Sequence, residues 1–266
     1  MQSMRQLLEI MRALRDPASG CPWDLEQNFQ SLIPYTLEEA YEVADAIERN
    51  NPDDIKSELG DLLFQIVFYS QLATEQQAFD FNDVAQTICE KLIRRHPHVF
   101  AGKKVTTAEE QTIEWEKLKQ QERKNKAAEN NFKLSHLDDV SRTLPSLMRA
   151  EKIQKRVAKE GFDWPDVKGV MDKIYEELDE VQQELDADVL DQTKLEDEIG
   201  DLFFSCINLS RYVKVNAEHS LRKANMKFER RFRQLEKIAH SKGLQINDMG
   251  IYELENLWKE VKANEK

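Results

Sequence analysis

The chain has 266 residues, enough for one or two domains, and a net charge of −12 from 38 basic and 50 acidic side chains. A hydrophobic fraction of 40% excludes global disorder, and the acidic balance argues against a chain-wide surface for nucleic acid or anionic membrane. The chain has only 8 glycines and 7 prolines, which favours a mostly helical protein.

The first half predicts four helices in chain order. Apolar residues of the stretch 7–14 lie on one helical face, and an Asp-Pro pair ends that helix. Thr36 followed by Glu39 predicts a capping box that opens a helix to about residue 49. After an Asn-Pro-Asp turn, helical spacing continues over 55–72, and a further helix is predicted over 81–95.

The second half repeats the first. YTLEEAYEV at 35–43 resembles KIYEELDEV at 173–181, and SELGDLLF at 57–64 resembles DEIGDLFF at 197–204. Helices of the second half are accordingly predicted to begin near Leu144, Asp172, Thr193, Ala217 and Asp248.

The duplication predicts an all-α fold with two tandem helical-bundle domains. We expect an N-terminal domain over 1–123, a polar linker over 124–136 and a C-terminal domain over 137–266. Helical hairpins with wide apolar faces often complete their bundle with a symmetry mate, so a homodimer is expected.

Acidic pairs spaced three residues apart recur on consecutive predicted helices. Each pair projects from one face of its helix, and the short turn between the helices brings the pairs together. Two carboxylates about 4 Å apart repel by roughly 4 kcal/mol, so the cluster needs a cation, and Mg²⁺ prefers such oxygen ligands. The two sets are Glu39, Glu42, Glu58 and Asp61, and Glu177, Glu180, Glu198 and Asp201.

A solvated acidic face is the alternative interpretation. With 50 acidic residues in 266, an acid-acid-x-x-acid pattern is expected about twice by chance. The recurrence in register, inside the apolar strings LGDLLF and IGDLFF, favours two metal sites instead.

A basic face and a tryptophan follow in the second half. Lys227, Arg230 and Arg231 have i, i+3, i+4 spacing, which suits triphosphate oxygens, although Glu229 offers a salt-bridged alternative. Trp258 would stack on a base or pack in the core.

Several other classes of site are missing from the sequence. The chain has neither a GxxxxGK[ST] phosphate loop nor GxGxxG, and none of its five histidines completes a Glu-x-x-His pair. Three isolated cysteines favour a reducing compartment, the cytoplasm, and no signal peptide or membrane span is expected.

The combined motifs resemble the MazG-type nucleoside triphosphate pyrophosphohydrolases. EE-x-x-E followed by E-x-x-D occurs twice, with GCPWD at 20–24 and RRHPHVF at 94–100, so the resemblance covers the whole chain. It implies an all-α dimer and Mg²⁺-dependent hydrolysis of NTPs and dNTPs, including ATP, to the monophosphate and pyrophosphate. No membrane or nucleic-acid partner is expected, and protein partners stay open.

The resemblance also implies which residues act. It makes Glu177, Glu180, Glu198 and Asp201 the metal ligands of the main catalytic domain, and Glu39, Glu42, Glu58 and Asp61 a second set. Glu176 is our candidate for orienting the attacking water. Nucleotide contacts are expected at Lys173, Glu176, Glu177, Lys194, Glu196, Asp197, Asp201, Lys227, Arg230, Arg231 and Trp258.

Three alternatives remain open. The enzyme could be a house-cleaning pyrophosphatase for dUTP, other dNTPs or damaged nucleotides, because the base pocket is not readable from the motif. A helical scaffold without activity is a second alternative, and it would have no use for the acidic sets. Weak nucleic-acid binding through residues 227–233 is a third.

Overall fold

The architecture of the chain is helical throughout the described residues. A computed structural model describes residues 2–102, 107–129, 135–138 and 140–265, and no strand occurs within these ranges. The chain forms two compact units, Met1–Lys126 and Ala127–Lys266. The all-α prediction is confirmed.

The first unit is built around a long helical hairpin. α3 (Ile33–Arg49) is followed by Asn50, whose left-handed backbone (φ 55°) allows the sharp turn, and Asn51 caps α4 (Pro52–Glu75) by accepting a hydrogen bond from the Asp53 backbone N–H. The helices are α1 (Gln2–Leu14), α2 (Pro22–Glu26), α3 (Ile33–Arg49), α4 (Pro52–Glu75), α5 (Phe81–Arg95), α6 (Pro97–Phe100) and α7 (Ala108–Glu129).

The predicted capping box at Thr36 is wrong. α3 begins three residues earlier, at Ile33, with Pro34 in its first turn, where proline loses no helical hydrogen bond. The Thr36 hydroxyl donates to the Leu32 carbonyl at 3.0 Å and lies 2.9 Å from the Tyr69 hydroxyl. It therefore ties α3 to α4 instead of capping a helix. The prediction for 81–95 matches α5 at both ends.

The core of the first unit lies between α1, α4 and the segment before α3. Met11, Leu32 and Phe68 are almost completely buried there, together with Val67 and Leu72. This core holds α4, and with it two of the acidic residues, in a fixed orientation.

The second unit repeats the hairpin with α9 (Val167–Leu185) and α10 (Gln192–Tyr212). Asp166 caps α9 and Asp191 caps α10, each by accepting backbone hydrogen bonds. The helices are α8 (Ser146–Ala158), α9 (Val167–Leu185), α10 (Gln192–Tyr212), α11 (Ala217–Ser241) and α12 (Ile251–Asn264), with a 3₁₀ turn at Ile246–Asp248. The predicted starts lie within three residues of these except for α9, which begins five residues before Asp172.

Two small apolar clusters hold the second unit together. One joins α8, α10 and α11 through Ala150, Ile207 and Ala217, and the other joins α11 and α12 around Leu235 and Leu257. The second unit thus has a more divided core than the first.

The predicted linker overlaps the end of a helix. α7 continues to Glu129, so residues 124–129 are helical, while residues 130–134 lie outside the described residues. The exact domain limits stay a prediction. No helix among the described residues is long and apolar enough to span a membrane.

Candidate functional site

Three carboxylates converge in the second unit, as the spacing predicted. Glu177 and Glu180 on α9 and Glu198 on α10 each place an oxygen within 4.8 Å of the others. The packing of α9 against α10 brings these side chains together. We call them the second triad.

Glu177 is the most unusual member of the second triad. The residue is only 4% exposed, and its Oε2 is buried without a hydrogen-bond partner. Its Oε1 lies 2.6 Å from the ammonium of Lys173, one turn earlier on α9, and Glu176 binds the same ammonium at 2.8 Å. A buried carboxylate oxygen without a partner is costly, so a ligand for it is expected.

The electrostatics of the second triad favour an added cation. Partial burial and then the charge of Glu177 raise the pKa of Glu180 above its usual range. Hydrogen bonds to Glu176 and Glu177 raise the pKa of Lys173, so this cation stays charged. One ammonium offsets only part of the charge, and three convergent carboxylates with an unpartnered oxygen suit a divalent metal with oxygen ligands.

The first unit contains a related cluster. Glu39 on α3 and Glu58 and Asp61 on α4 also bring their oxygens within 4.8 Å of one another, and we call them the first triad. Burial, followed by the charge of Asp61, raises the pKa of Glu39, and burial followed by Glu42 raises that of Glu58. The two units therefore carry similar acidic clusters.

The triads differ in one member and in their surroundings. Glu42 and Asp201, each predicted as the fourth ligand of its set, lie outside the two triads. Tyr35 stands at the position of Lys173, and its ring packs edge-on against Trp23 at 5.5 Å. The second triad thus carries a cation of its own at a position where the first unit has an aromatic ring.

A cavity opens beside the second triad. Its volume is about 570 Å³, within the range of small-molecule sites. Lys173, Glu177 and Asp201 line it at the triad, and the loop 161–164, α8 and α10 supply the remaining wall. The cavity therefore connects the predicted metal site to a space large enough for part of a ligand.

The basic face lies on α11 and binds α12. Arg230 and Arg231 contact the carboxylate of Glu265 at 3.0 and 2.7 Å, while Glu229 pairs with Arg233. The expectation that Glu229 partners the basic face is therefore wrong for Arg230 and Arg231, because Glu265 reaches them across the two helices. Lys227 is exposed on the same helix.

The first unit has the same arrangement. Arg94 and Arg95 on α5 contact Glu122 on α7 at 2.8 and 2.5 Å. Glu122 and Glu265 each follow a tryptophan, Trp115 or Trp258, by seven residues. The repeat thus extends to an arginine pair held by a glutamate from a later helix.

Trp258 belongs to the apolar cluster between α11 and α12. Its ring lies 5.1 Å from that of Phe228, and it packs against the buried residues of that cluster. Three other predicted nucleotide contacts are exposed on the first turns of α10. These are Lys194, Glu196 and Asp197, and their role in nucleotide binding stays a prediction.

Sequence reasoning missed three residues of the cavity wall. Gln154, Asn208 and Arg211 line the cavity, but none belongs to a repeated motif. A comparison of the two repeats could have found two of them. At the offset of 140 residues that relates the acidic residues of α4 and α10, Asn208 aligns with Phe68 and Arg211 aligns with Gln71, so the repeats differ at both positions. Phe68 is completely buried in the first core.

Comparisons with known proteins agree with the duplication. The family model for the MazG nucleotide pyrophosphohydrolase domain matches the chain twice, at residues 27–100 and 166–235. A nucleoside triphosphate pyrophosphohydrolase of Escherichia coli K12 is 52% identical over 100% of this chain and 99% of that protein.

Two further relatives are more distant. A nucleoside triphosphate pyrophosphohydrolase/pyrophosphatase MazG of Thermotoga maritima is 41% identical, covering 98% of this chain and 96% of that protein. The uncharacterized protein YabN of Bacillus subtilis is 39% identical over 97% of this chain and 51% of its own length. Each of these matches spans both repeats.

Proposed function

Because the chain belongs to the MazG nucleotide pyrophosphohydrolase family, we propose that it hydrolyses nucleoside triphosphates to the monophosphate and pyrophosphate. It is then a hydrolase acting on a phosphoric anhydride bond. Water adds to the α-phosphorus, the bond from that phosphorus to the bridging oxygen breaks, and pyrophosphate leaves.

The second triad is the observation that carries the proposal for this chain. The buried, unpartnered Oε2 of Glu177 lies among converging carboxylates at the edge of a cavity. A family hydrolase of this kind uses a divalent metal, and we propose Mg²⁺, which shares its coordination sphere between carboxylates and substrate phosphates. When bound, the metal would offset phosphate charge and acidify water.

The protein's own residues then have separate tasks. Glu177, Glu180 and Glu198, with Asp201 at the cavity edge, would hold the cation. Glu176 is exposed beside them and would orient the attacking water and accept its proton, while Lys173 holds that carboxylate in place.

The basic face of α11 would neutralise the leaving pyrophosphate. Guanidinium groups bind phosphate oxygens through paired hydrogen bonds, which suits Arg230 and Arg231. Because both guanidinium groups already bind Glu265, phosphate would have to share them with that carboxylate or displace it. Lys227 would add a third positive charge.

We also propose a homodimer in the cytoplasm. Large apolar side chains on α9 and α10 are strongly exposed, including Tyr175, Leu178 and Phe203, and a second copy would cover them. Free thiols at Cys21, Cys89 and Cys206 suit a reducing compartment.

Product identification tests the activity. The full chain is incubated with each of the eight common NTPs and dNTPs, with and without Mg²⁺, and the products are separated by ion exchange. Monophosphate plus pyrophosphate, formed only with the metal, is the expected result. Diphosphate plus phosphate would place cleavage at the other anhydride bond and contradict the proposal.

The damaged-nucleotide and dUTP alternatives share this chemistry. They differ only in the base, so dUTP and a damaged nucleotide such as 8-oxo-dGTP are added to the same experiment, and the relative rates then separate the alternatives. A scaffold without activity would show no turnover and no Mg²⁺ binding by calorimetry.

A further inference from the structure

We propose that the cavity beside the second triad holds the nucleobase, and that Gln154 selects bases with an exocyclic amino group. The inference rests on the proposed function, because it assigns a second subsite to the same substrate. It concerns the part of the cavity wall that α8 and α10 contribute, including Gln154 and Asn208.

Gln154 offers a fixed and unsatisfied acceptor. The residue is 4% exposed, and its Nε2 donates to the Phe204 carbonyl at 2.8 Å. A carbonyl only accepts, so the amide nitrogen must face Phe204 and the Oε1 must face away. That oxygen is buried and has no hydrogen-bond partner. A ligand that donates a hydrogen bond would satisfy it.

Asn208 supplies the complementary group on α10. Its Oδ1 accepts two hydrogen bonds from Arg211, at 3.0 and 2.8 Å, so the amide nitrogen is the part that it can offer to a ligand. An acceptor and a donor lining one cavity match the amino group and ring nitrogen of adenine or cytosine. Uracil would instead place a carbonyl oxygen against the Gln154 oxygen.

The loop 161–164 is held in position beside these amides. Arg211 binds the Asp163 carboxylate at 2.5 Å and so joins the loop to α10. Trp164 packs so closely on α9 that a Cβ at Gly169 would lie 2.8 Å from its ring, so only glycine leaves room for the tryptophan. The wall thus combines rigid aromatic surface with polar groups, as small-molecule sites do.

The first repeat shows how such a cavity is filled. Phe68 stands at the position of Asn208, and Gln65 at that of Ser205; Phe68 packs on Met11 and Leu32 in the first core. Smaller residues at 205 and 208 therefore open the space in the second unit. This places nucleotide selection in the C-terminal repeat.

The test removes the amino group from the substrate and the acceptor from the protein. Pyrophosphate release is measured for ATP and for purine riboside triphosphate, which lacks only the 6-amino group, with the full chain and with Gln154→Met. In the unchanged protein we expect kcat/KM to fall by about tenfold without the amino group. In Gln154→Met the two substrates should react within twofold of each other.

Matched controls separate selection from folding. Gln65→Met removes a similarly buried glutamine, also with an unpartnered Oε1, from the first unit, and should keep the tenfold preference for ATP. If Gln154→Met does not fold, Asn208→Phe copies the residue of the first repeat. It should lose binding of AMP while Mg²⁺ still binds the second triad in calorimetry.

The contrary results are equally clear. Equal rates for the two substrates in the unchanged protein, or the same preference in Gln154→Met, would overturn the inference while leaving the proposed activity intact. If no triphosphate were hydrolysed, the proposed function would fail. Calorimetric comparison of AMP with purine riboside monophosphate would still decide whether the cavity recognises the amino group.

Discussion

At the level of single residues, Glu177 has an environment that Glu39 lacks. It combines deep burial, an unpartnered oxygen and a lysine one turn away, whereas Glu39 is only half-buried. We predict that Glu177→Gln lowers kcat about 100-fold or more, because the metal loses a charged ligand beside the cavity. Glu39→Gln should cost less than about tenfold. Steady-state kinetics at saturating Mg²⁺ measures both, and Asp201→Asn provides a second test of the C-terminal site.

Calorimetry adds a readout that does not depend on turnover. The two triads predict two Mg²⁺ equivalents per chain, and each substitution should remove one. Equal losses of activity from Glu177→Gln and Glu39→Gln would contradict the ranking of the two repeats.

Removal of the Lys173 ammonium should lower the stability of the protein, and Mg²⁺ should restore it. This ammonium is the cation bound to Glu177, so Lys173→Met leaves a buried carboxylate unpaired. We expect metal-free stability to fall by about 1–3 kcal/mol, less than for a fully buried pair because Lys173 is partly exposed. Added Mg²⁺ should then raise the melting temperature of the variant more than that of the unchanged protein.

The matched control for Lys173 lies on α8. Lys155 and Glu151 form another i, i+4 pair with a largely buried carboxylate, but they do not belong to either triad. Lys155→Met should leave the response to Mg²⁺ unchanged. If Mg²⁺ raised the melting temperatures of Lys173→Met, Lys155→Met and the unchanged protein equally, the metal would not replace the Lys173 ammonium.

At the level of helices, Glu265 joins α12 to α11 in a manner that depends on pH. Hydrogen bonds from Arg231 and then Arg230 lower the pKa of Glu265 to about 2. Because the folded state holds the ionised form, this contribution to stability is complete above the usual pKa near 4.5 and is lost as pH falls towards 2. Glu265→Gln should therefore lose less stability between pH 5 and pH 3 than the unchanged protein does.

Urea unfolding at the two pH values measures this difference. Glu255→Gln is the control, since its pair with Lys259 stays on the surface of α12. If Glu265→Gln and the unchanged protein lost the same stability, the carboxylate would not hold the two helices. The same variant also tests phosphate binding, because releasing Arg230 and Arg231 should lower KM for the triphosphate.

The helices show where sequence prediction works and where it fails. Periodicity and turn residues located α5 at both ends and α4 to within three residues at each end, whereas α1 begins five residues before the apolar stretch that predicted it. Thr36 misled the prediction of α3, since its hydroxyl bonds across to Tyr69, a contact 33 residues away. Local patterns do not contain such tertiary contacts.

The candidate site also contains residues that the sequence predicted and residues that it did not. Repetition identified the acidic residues because the same spacing occurs twice, and the structure brings three from each set together. Gln154 was missed because a single buried glutamine on an amphipathic helix gives no periodic signal. Glu265 was missed because its partners lie 34 and 35 residues away on another helix.

At the level of the whole molecule, the exposed apolar side chains of the α9–α10 hairpin predict self-association. Leu178 and Phe203 are 51% and 61% exposed, and a symmetric interface would bury both twice. At about 1.5 kcal/mol for each of the four side chains, Leu178→Ser with Phe203→Ser would weaken the dimer by about 6 kcal/mol, roughly four orders of magnitude in Kd. Light scattering at micromolar concentration should therefore give the mass of a monomer for this double variant and the mass of a dimer for the unchanged protein.

The α12 helix provides the comparison for this prediction. Ile251 and Tyr252 are even more exposed, at 72% and 79%, but lie outside the hairpin. Ile251→Ser with Tyr252→Ser should leave the mass of a dimer unchanged. A monomeric unchanged protein, or loss of the dimer only in the α12 variant, would show that the hairpin face does not form the interface. Because both double variants remove strongly exposed apolar side chains, a difference in mass between them would come from where the side chains lie in the fold and not from their exposure.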